Sequence, residues 1–209
     1  MSLAASRVPV LADVAGRPAT RLHALAVDAT LVVTGVAFVA LLAKVSFFIG
    51  PIPITGQTLG VIVVGAALGA RRGAAALSAY LLVGLAGLPV FAGPVAGPAY
   101  VLAPSFGFVL GFIPAAMIAG WFAERAWDRR PVLAFVGFVA ASIVPFLLGV
   151  PYMAAVLALV IGQDVTLAGV LNAGVWPFML PGLLKAAAAA LLIPATWALV
   201  RAVDRRSRR

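Results

Sequence analysis

Long apolar runs separated by short polar or Gly/Pro-rich joints organise this chain. A membrane-spanning helix takes about 20 mostly apolar residues. The runs predict six spans, at residues 22–49, 57–70, 74–88, 104–123, 131–152 and 176–200. Between the first two, Gly50-Pro51-Ile52-Pro53-Ile54-Thr55-Gly56-Gln57-Thr58 breaks the helix, because proline fixes φ and lacks an N–H donor. The second span reaches only about 20 Å, so the PIPITGQT segment is expected to dip into the bundle. Arg71-Arg72-Gly73 reads as a tight turn, Pro145 as a kink in span 5, and Pro177, Pro181 and Gly182 as early interruptions of span 6. Residues 153–176 read as a connection holding an interfacial half-helix, with Gly162-Gln163-Asp164 at its polar centre.

Composition names the solvent. The 209 residues are 64% hydrophobic and 10% charged, against roughly 45–50% and about 25% in soluble domains. That excess does not fit inside a soluble core of this size, so the expected fold class is an all-α integral membrane protein. The net charge of +9 would suggest nucleic acid in a soluble chain, but its distribution points to topology and not to nucleic acid. Three Lys/Arg precede span 1, two lie between spans 2 and 3, three between spans 4 and 5, and five follow span 6, thirteen of the fifteen. The other three connections carry none. Positive residues stay on the cytoplasmic side. Both termini are therefore expected there, with a cytoplasmic arm at residues 1–21, a six-helix membrane domain at 22–200 and a basic tail at 201–209. The same count puts the three broken connections together on the outer side. No cleaved leader is expected, the first span serving as the insertion signal.

Candidate chemistry is sparse. The chain has no Cys and a single His, His23, which excludes disulfides, thiolate chemistry and a His-based metal cluster. No metal site, cofactor, nucleophile elbow or phosphate-binding Gly-rich loop before Lys-Ser/Thr is predicted, so ATP coupling would need another subunit. Residues 91–111, FAGPVAGPAYVLAPSFGFVLG, are uncharged, irregular and aromatic. Irregular backbone at membrane depth is tolerated where protein or a cavity surrounds it, which makes this stretch a pocket candidate. Lys185 lies inside span 6, about 13 Å from its outer end. Asp164 is the one acid in the outer half, and it sits in a connection. A lysine with no committed internal acid suits an external carboxylate. Thr55 and Gln57 suit either an amide-type ligand contact or a turn-and-cap role. Phe91, Tyr100 and Phe106 suit a pocket wall or an interfacial anchor. Asp164 and Asn172 suit a polar contact or a loop role. Asp28 and Lys44, near the ends of span 1, are expected to snorkel. Ala26, Thr30 and Thr34 form a small-residue stripe that permits close helix approach.

The run Pro51-Ile52-Pro53-Ile54-Thr55-Gly56-Gln57-Thr58-Leu59, followed by Gly84-Leu85-Ala86-Gly87-Leu88-Pro89-Val90-Phe91-Ala92-Gly93, resembles the BioY family, the biotin-binding component of transporters. The similar residues extend from about 24 to 200 and include Gly97-Pro98-Ala99-Tyr100 and Gly174-Val175-Trp176-Pro177-Phe178. The resemblance implies a six-helix S component of an energy-coupling factor (ECF) transporter in a prokaryotic plasma membrane. Such a component captures biotin outside and works with a transmembrane coupling subunit and two ATPase subunits. It implies that Lys185 takes the ligand carboxylate. On that reading Gln57, Thr55 and loop residues near Gly93 and Tyr100 contact or cover the ring, and Phe91, Ser105 and Asp164 are the remaining candidate binding residues. Loss of Lys185 is then expected to weaken binding and loss of Lys44 to leave it unchanged. Two positions depart from the family pattern. Gly182 stands where an acidic residue is usual, three before Lys185. Ala103-Pro104-Ser105-Phe106-Gly107-Phe108 replaces Gly-Pro-Thr-Gly-Gly-Tyr. The strict Ala-x-x-x-Ala spacing of such components is absent from span 1. A stand-alone carrier for a small carboxylate is the competing reading. A membrane-embedded enzyme or a purely structural protein fits the residues less well.

Overall fold

A computed structural model describes residues 8–15, 20–48 and 50–207. Arg7, Arg17, Arg208 and Arg209, used above to count charge, lie outside the described residues, as does residue 49 at the expected end of span 1. Seven α-helices carry the fold: α1 Arg21–Lys44, α2 Gln57–Leu68, α3 Ala70–Leu85, α4 Phe106–Ala123, α5 Pro131–Leu159, α6 Leu167–Gly174 and α7 Trp176–Ser207. Two short strands, β1 Ser46–Phe48 and β2 Pro53–Thr55, pair antiparallel with Ser46 opposite Thr55 and Phe48 opposite Pro53. Three 3-10 turns, Leu11–Ala15, Pro98–Leu102 and Trp127–Arg129, complete the ordered elements.

The helices run close to the expected bounds, with physical reasons for each difference. Span 1 stops at Lys44, because Ser46-Phe47-Phe48 extends into the hairpin. Aromatic residues favour strands, and apolar content alone does not separate that run from a helix end. The α2–α3 turn is at Gly69, whose φ of 84° is open to glycine. Arg71, Arg72 and Gly73 belong to the first turn of α3. Helix α5 continues through Pro145 and Pro151 to Leu159, and α7 through Pro181 and Pro194. Proline inside a membrane helix is tolerated where neighbours re-satisfy the freed carbonyl. The semi-apolar run after Tyr152 is therefore the end of α5, and the half-helix of the connection is α6.

Among the described residues, four segments are long and apolar enough to cross a membrane: α1, α4, α5 and Leu167–Val203. Helices α2 and α3, with 12 and 16 residues, are shorter. The outer surface is apolar, with Leu41, Leu147, Leu191 and Leu199 each more than 60% exposed, as lipid allows and water does not. Helix α1 buries only Gly35, Val39 and Ala43. The core sits among α2, α3, α4 and α5, where Val64, Leu77, Tyr80, Phe112 and Ala116 are buried. Helices α4 and α5 approach closely, a Cβ at Gly111 being blocked by the Pro145 backbone.

Polar ties divide the molecule into two ends. At one, Arg72 bridges Asp13 (2.7 Å) and Asp28 (2.8 Å), so Asp28 is paired instead of snorkelling free. The Glu124 carboxylate accepts from Ala70 N–H at 3.0 Å, and Arg129 donates to the Pro9 carbonyl at 2.9 Å. Val10 is fully buried in the cluster formed by α2, α4, α5 and α7. Asp128 is 1% exposed and accepts from the Trp197 indole, while its other oxygen has no partner. Burial pushes the Asp128 carboxyl above its usual range; the Trp197 hydrogen bond and Arg129 oppose this. A carboxyl raised in the folded state favours folding below its unfolded pKa, and that contribution is lost as pH rises through the folded pKa. Asp128→Asn keeps an acceptor for Trp197 and removes the buried charge. It is expected to raise the thermal unfolding midpoint in detergent at pH 7, with the gain shrinking toward pH 4. A midpoint difference constant across that range would refute the assignment.

Candidate functional site

The other end holds an open-mouthed cavity, with about 640 Å³ of empty space when the solvent at its mouth is included. The hairpin and the start of α2 form one wall. Gly56 N–H donates to the Val45 carbonyl at 2.9 Å, closing the hairpin over the helix start. The Thr55 hydroxyl accepts from Gln57 N–H (3.2 Å) and donates to Gln57 Oε1 (2.9 Å). Thr55 is thus the helix-start hydroxyl that a capping role needs, and that role fixes the Gln57 amide at the cavity. The turn-and-cap reading of this pair is what the hydrogen bonds show, and Thr55 and Gln57 both line the cavity. Gln57 Nε2 donates to the Tyr80 hydroxyl at 2.7 Å, and Tyr80 donates in turn to the Val90 carbonyl at 2.9 Å.

Lys185 reaches the cavity from α7, half-buried. Its ammonium donates to the Thr55 carbonyl (2.6 Å) and the Thr58 hydroxyl (3.1 Å). An ammonium has three donors, so one is left for a ligand. None of the described lining residues is acidic, and Lys185 forms no ion pair among the described residues. Gly182, one turn earlier on the same helix face, also lines the cavity, and a Cβ there would meet nothing within 4 Å.

The 3–4 connection forms the lip. Tyr100 and Ser105 line the cavity and their hydroxyls lie 3.0 Å apart. Burial pushes the Tyr100 phenol up, so it is neutral at physiological pH. Phe108 makes the apolar floor with Phe146 edge-on (5.7 Å) and Phe178 (6.4 Å).

Thr55, Gln57, Tyr100, Ser105 and Lys185 are therefore brought together around one cavity. Three other expected residues are not. Phe91 stands behind the wall, 1% exposed, stacked on Tyr100 at 4.0 Å and edge-on to Tyr80 at 5.5 Å. Its ring fills the notch at Gly84, where a Cβ would overlap it. Gly93 sits beside Phe48 of the hairpin, outside the lining. Asp164 is exposed in the α5–α6 connection and away from the cavity, because a charge in a connection is stabilised by the interface and water. Asn172 is exposed as well. Sequence reasoning missed Thr58, Ser142 and Tyr80. Thr58 and Ser142 are hydroxyls in apolar helices, and that contrast was the available signal.

The BioY family model matches residues 14–202. A Rhizobium etli protein named biotin transporter BioY is 37% identical over 126 residues, covering 57% of this chain and 67% of its own. A Pyrococcus horikoshii protein named probable biotin transporter BioY is 32% identical over 165 residues, covering 79% of this chain and 93% of its own. A crystal structure of the S-component for biotin from an ECF-type ABC transporter superposes with a TM-score of 0.63 at 23% identity, covering 87% of this chain and 95% of that one. At that identity the likeness is one of fold.

Proposed function

This chain belongs to the BioY family, and on that premise we propose that it binds biotin in the cavity closed by the hairpin and residues 89–105. It then acts as the substrate-capturing component of an ECF-type transporter. The observation that carries the reading is the single ammonium of Lys185, with one free donor, at the edge of a largely apolar cavity that has no acidic lining residue. That arrangement suits a ligand with one carboxylate and an otherwise uncharged body. Lys185 takes the carboxylate. Gln57 Oε1, with the Thr58 and Ser142 hydroxyls, offers acceptors to ring N–H groups, a role that falls to them because Gly182 has no side-chain acceptor. Tyr100 and Ser105 cover the ring. Phe91 and Gly93 act from behind, by shaping the lip.

The proposal also includes six membrane crossings with both termini cytoplasmic. The sorting of the polar ties supports it: the described basic turns gather at the Asp128 end, and two of the broken connections, the hairpin and residues 89–105, at the cavity end. A transmembrane coupling subunit and two ATPase subunits complete the transporter. The exposed Ala26, Thr30, Thr34 stripe of α1 supports a docking face, since both threonine hydroxyls are turned back onto helix carbonyls (2.9 and 2.8 Å).

Isothermal titration of the detergent-purified protein tests the ligand. Biotin is expected to bind, and biotinamide, which lacks the carboxylate charge, to bind about a hundredfold more weakly, since a desolvated charge-assisted contact is worth several kcal/mol. No heat with biotin, or equal affinity for the amide, would overturn the reading. Uptake by vesicles holding only this chain would point to the stand-alone carrier.

A further inference from the structure

The connection after α3 is tied down at three successive carbonyls. Lys44, the last residue of α1, donates to the Pro89 carbonyl (2.6 Å) and the Phe91 carbonyl (3.2 Å). Tyr80 donates to the Val90 carbonyl between them (2.9 Å). Lys44 is exposed and does not line the cavity described above, yet its ammonium is committed to this backbone, so it is not the idle span-end charge that its position suggests. Tyr80 is fully buried and accepts from Gln57 Nε2, whose amide lines the cavity. One hydrogen-bonded path therefore runs from the cavity wall, through Gln57 and Tyr80, to Val90. Ala92 and Tyr100, farther along the same connection, line the cavity mouth.

The geometry points to Lys44 and Tyr80 as positioning residues that latch residues 89–92 over the cavity and set how fast a bound ligand leaves. Both act through the backbone of the connection. Lys44 holds it to the end of α1, and hence to the hairpin that follows. Tyr80 holds it to the amide that faces the ligand. A ligand that engages the Gln57 oxygen leaves the Nε2 bond to Tyr80 in place, so occupation and latching are compatible. In this reading the ligand leaves as residues 89–92 lift and widen the mouth beside Ala92, which breaks the Lys44 and Tyr80 bonds together.

Tyr80→Phe keeps the ring against Phe91 and removes both hydrogen bonds of the hydroxyl. Lys44→Met keeps the stem and removes the ammonium. Two measurements follow, the second resting on the biotin reading above. In ligand-free protein, amide hydrogen exchange at residues 90–93 is expected to quicken about tenfold in Tyr80→Phe and about threefold in Lys44→Met, with α6 amides unchanged. In biotin-loaded protein, the dissociation rate is expected to rise by similar factors while the association rate stays within about twofold. Lys44→Arg is expected to restore most of the Lys44 effect. Unchanged exchange at 90–93 overturns the latch. Faster exchange with an unchanged dissociation rate overturns its control of exit, as does a loss confined to association. If the wild type does not bind biotin, the functional reading falls, while the exchange measurement still judges the latch.

Discussion

Replacing Lys185 with alanine is expected to weaken biotin binding by about two to three orders of magnitude. Removing one partner of a desolvated, hydrogen-bonded charge pair costs roughly 2–5 kcal/mol, and each 1.4 kcal/mol is about tenfold. Lys185 is the one charged lining residue, and its two protein partners, the Thr55 carbonyl and the Thr58 hydroxyl, are neutral. They aim the ammonium without neutralising it. Lys185→Met separates charge from bulk, because it keeps a long unbranched side chain. It should lose nearly as much biotin affinity as the alanine variant and leave biotinamide binding almost unchanged. Arginine is not expected to substitute, since its planar fork does not match two acceptors set for a tetrahedral ammonium. Titration calorimetry across the three variants and both ligands decides the matter. Near-wild-type biotin affinity in Lys185→Met would remove Lys185 from the site.

Phe91→Ala is expected to cost about 3–5 kcal/mol of stability, the usual range for emptying a buried Phe site. For a chain of this length that is a fall of roughly 6–20 °C in the unfolding midpoint. The ring is held on three sides: stacked on Tyr100, edge-on to Tyr80, and seated in the Gly84 notch. Aromatic pairs of this kind add about 0.5–1.5 kcal/mol beyond burial. Biotin affinity should fall with stability, because Tyr100 at the cavity lip loses the ring behind it. Phe91→Leu should recover about half of the midpoint and more of the affinity. A midpoint within a degree or two of wild type would mean that the Tyr80, Phe91 and Tyr100 stack does not hold the connection.

Hydropathy made the membrane fold readable, because lipid requires long apolar helices whatever they pack against. The charge count made the sorting of the connections readable, since Arg72 and Arg129 lie at one end and Thr55, Tyr100 and Ser105 at the other. Lys185 stood out because an isolated cation in an apolar helix is costly. The walls did not stand out. Phe108, Phe146 and Phe178 have the same side-chain type as phenylalanines facing lipid, and a bundle in hydrocarbon carries no polar-out, apolar-in contrast to tell them apart. The hairpin was hidden for a similar reason: Phe47 and Phe48 read as more of the preceding span. Tyr80 and Lys44 were beyond reach because their partners lie ten and at least forty-five positions away across an irregular connection. Asp164 drew notice as the one acid of its half, and the structure places it exposed in the α5–α6 connection, outside the cavity lining.

Gly182 leaves a gap in the side of the cavity that no neighbour fills. Glycine within a helix is roughly 0.5–1 kcal/mol less favourable than alanine, and no packing contact at this position compensates for that. A side chain at this position meets no packing obstacle and enters the cavity lining. A larger residue there would change the volume and polarity beside the Lys185 ammonium while leaving the helix contacts that build the bundle as they are. If the cavity takes the ligand as proposed, its preference is expected to be adjustable at this one position without loss of stability.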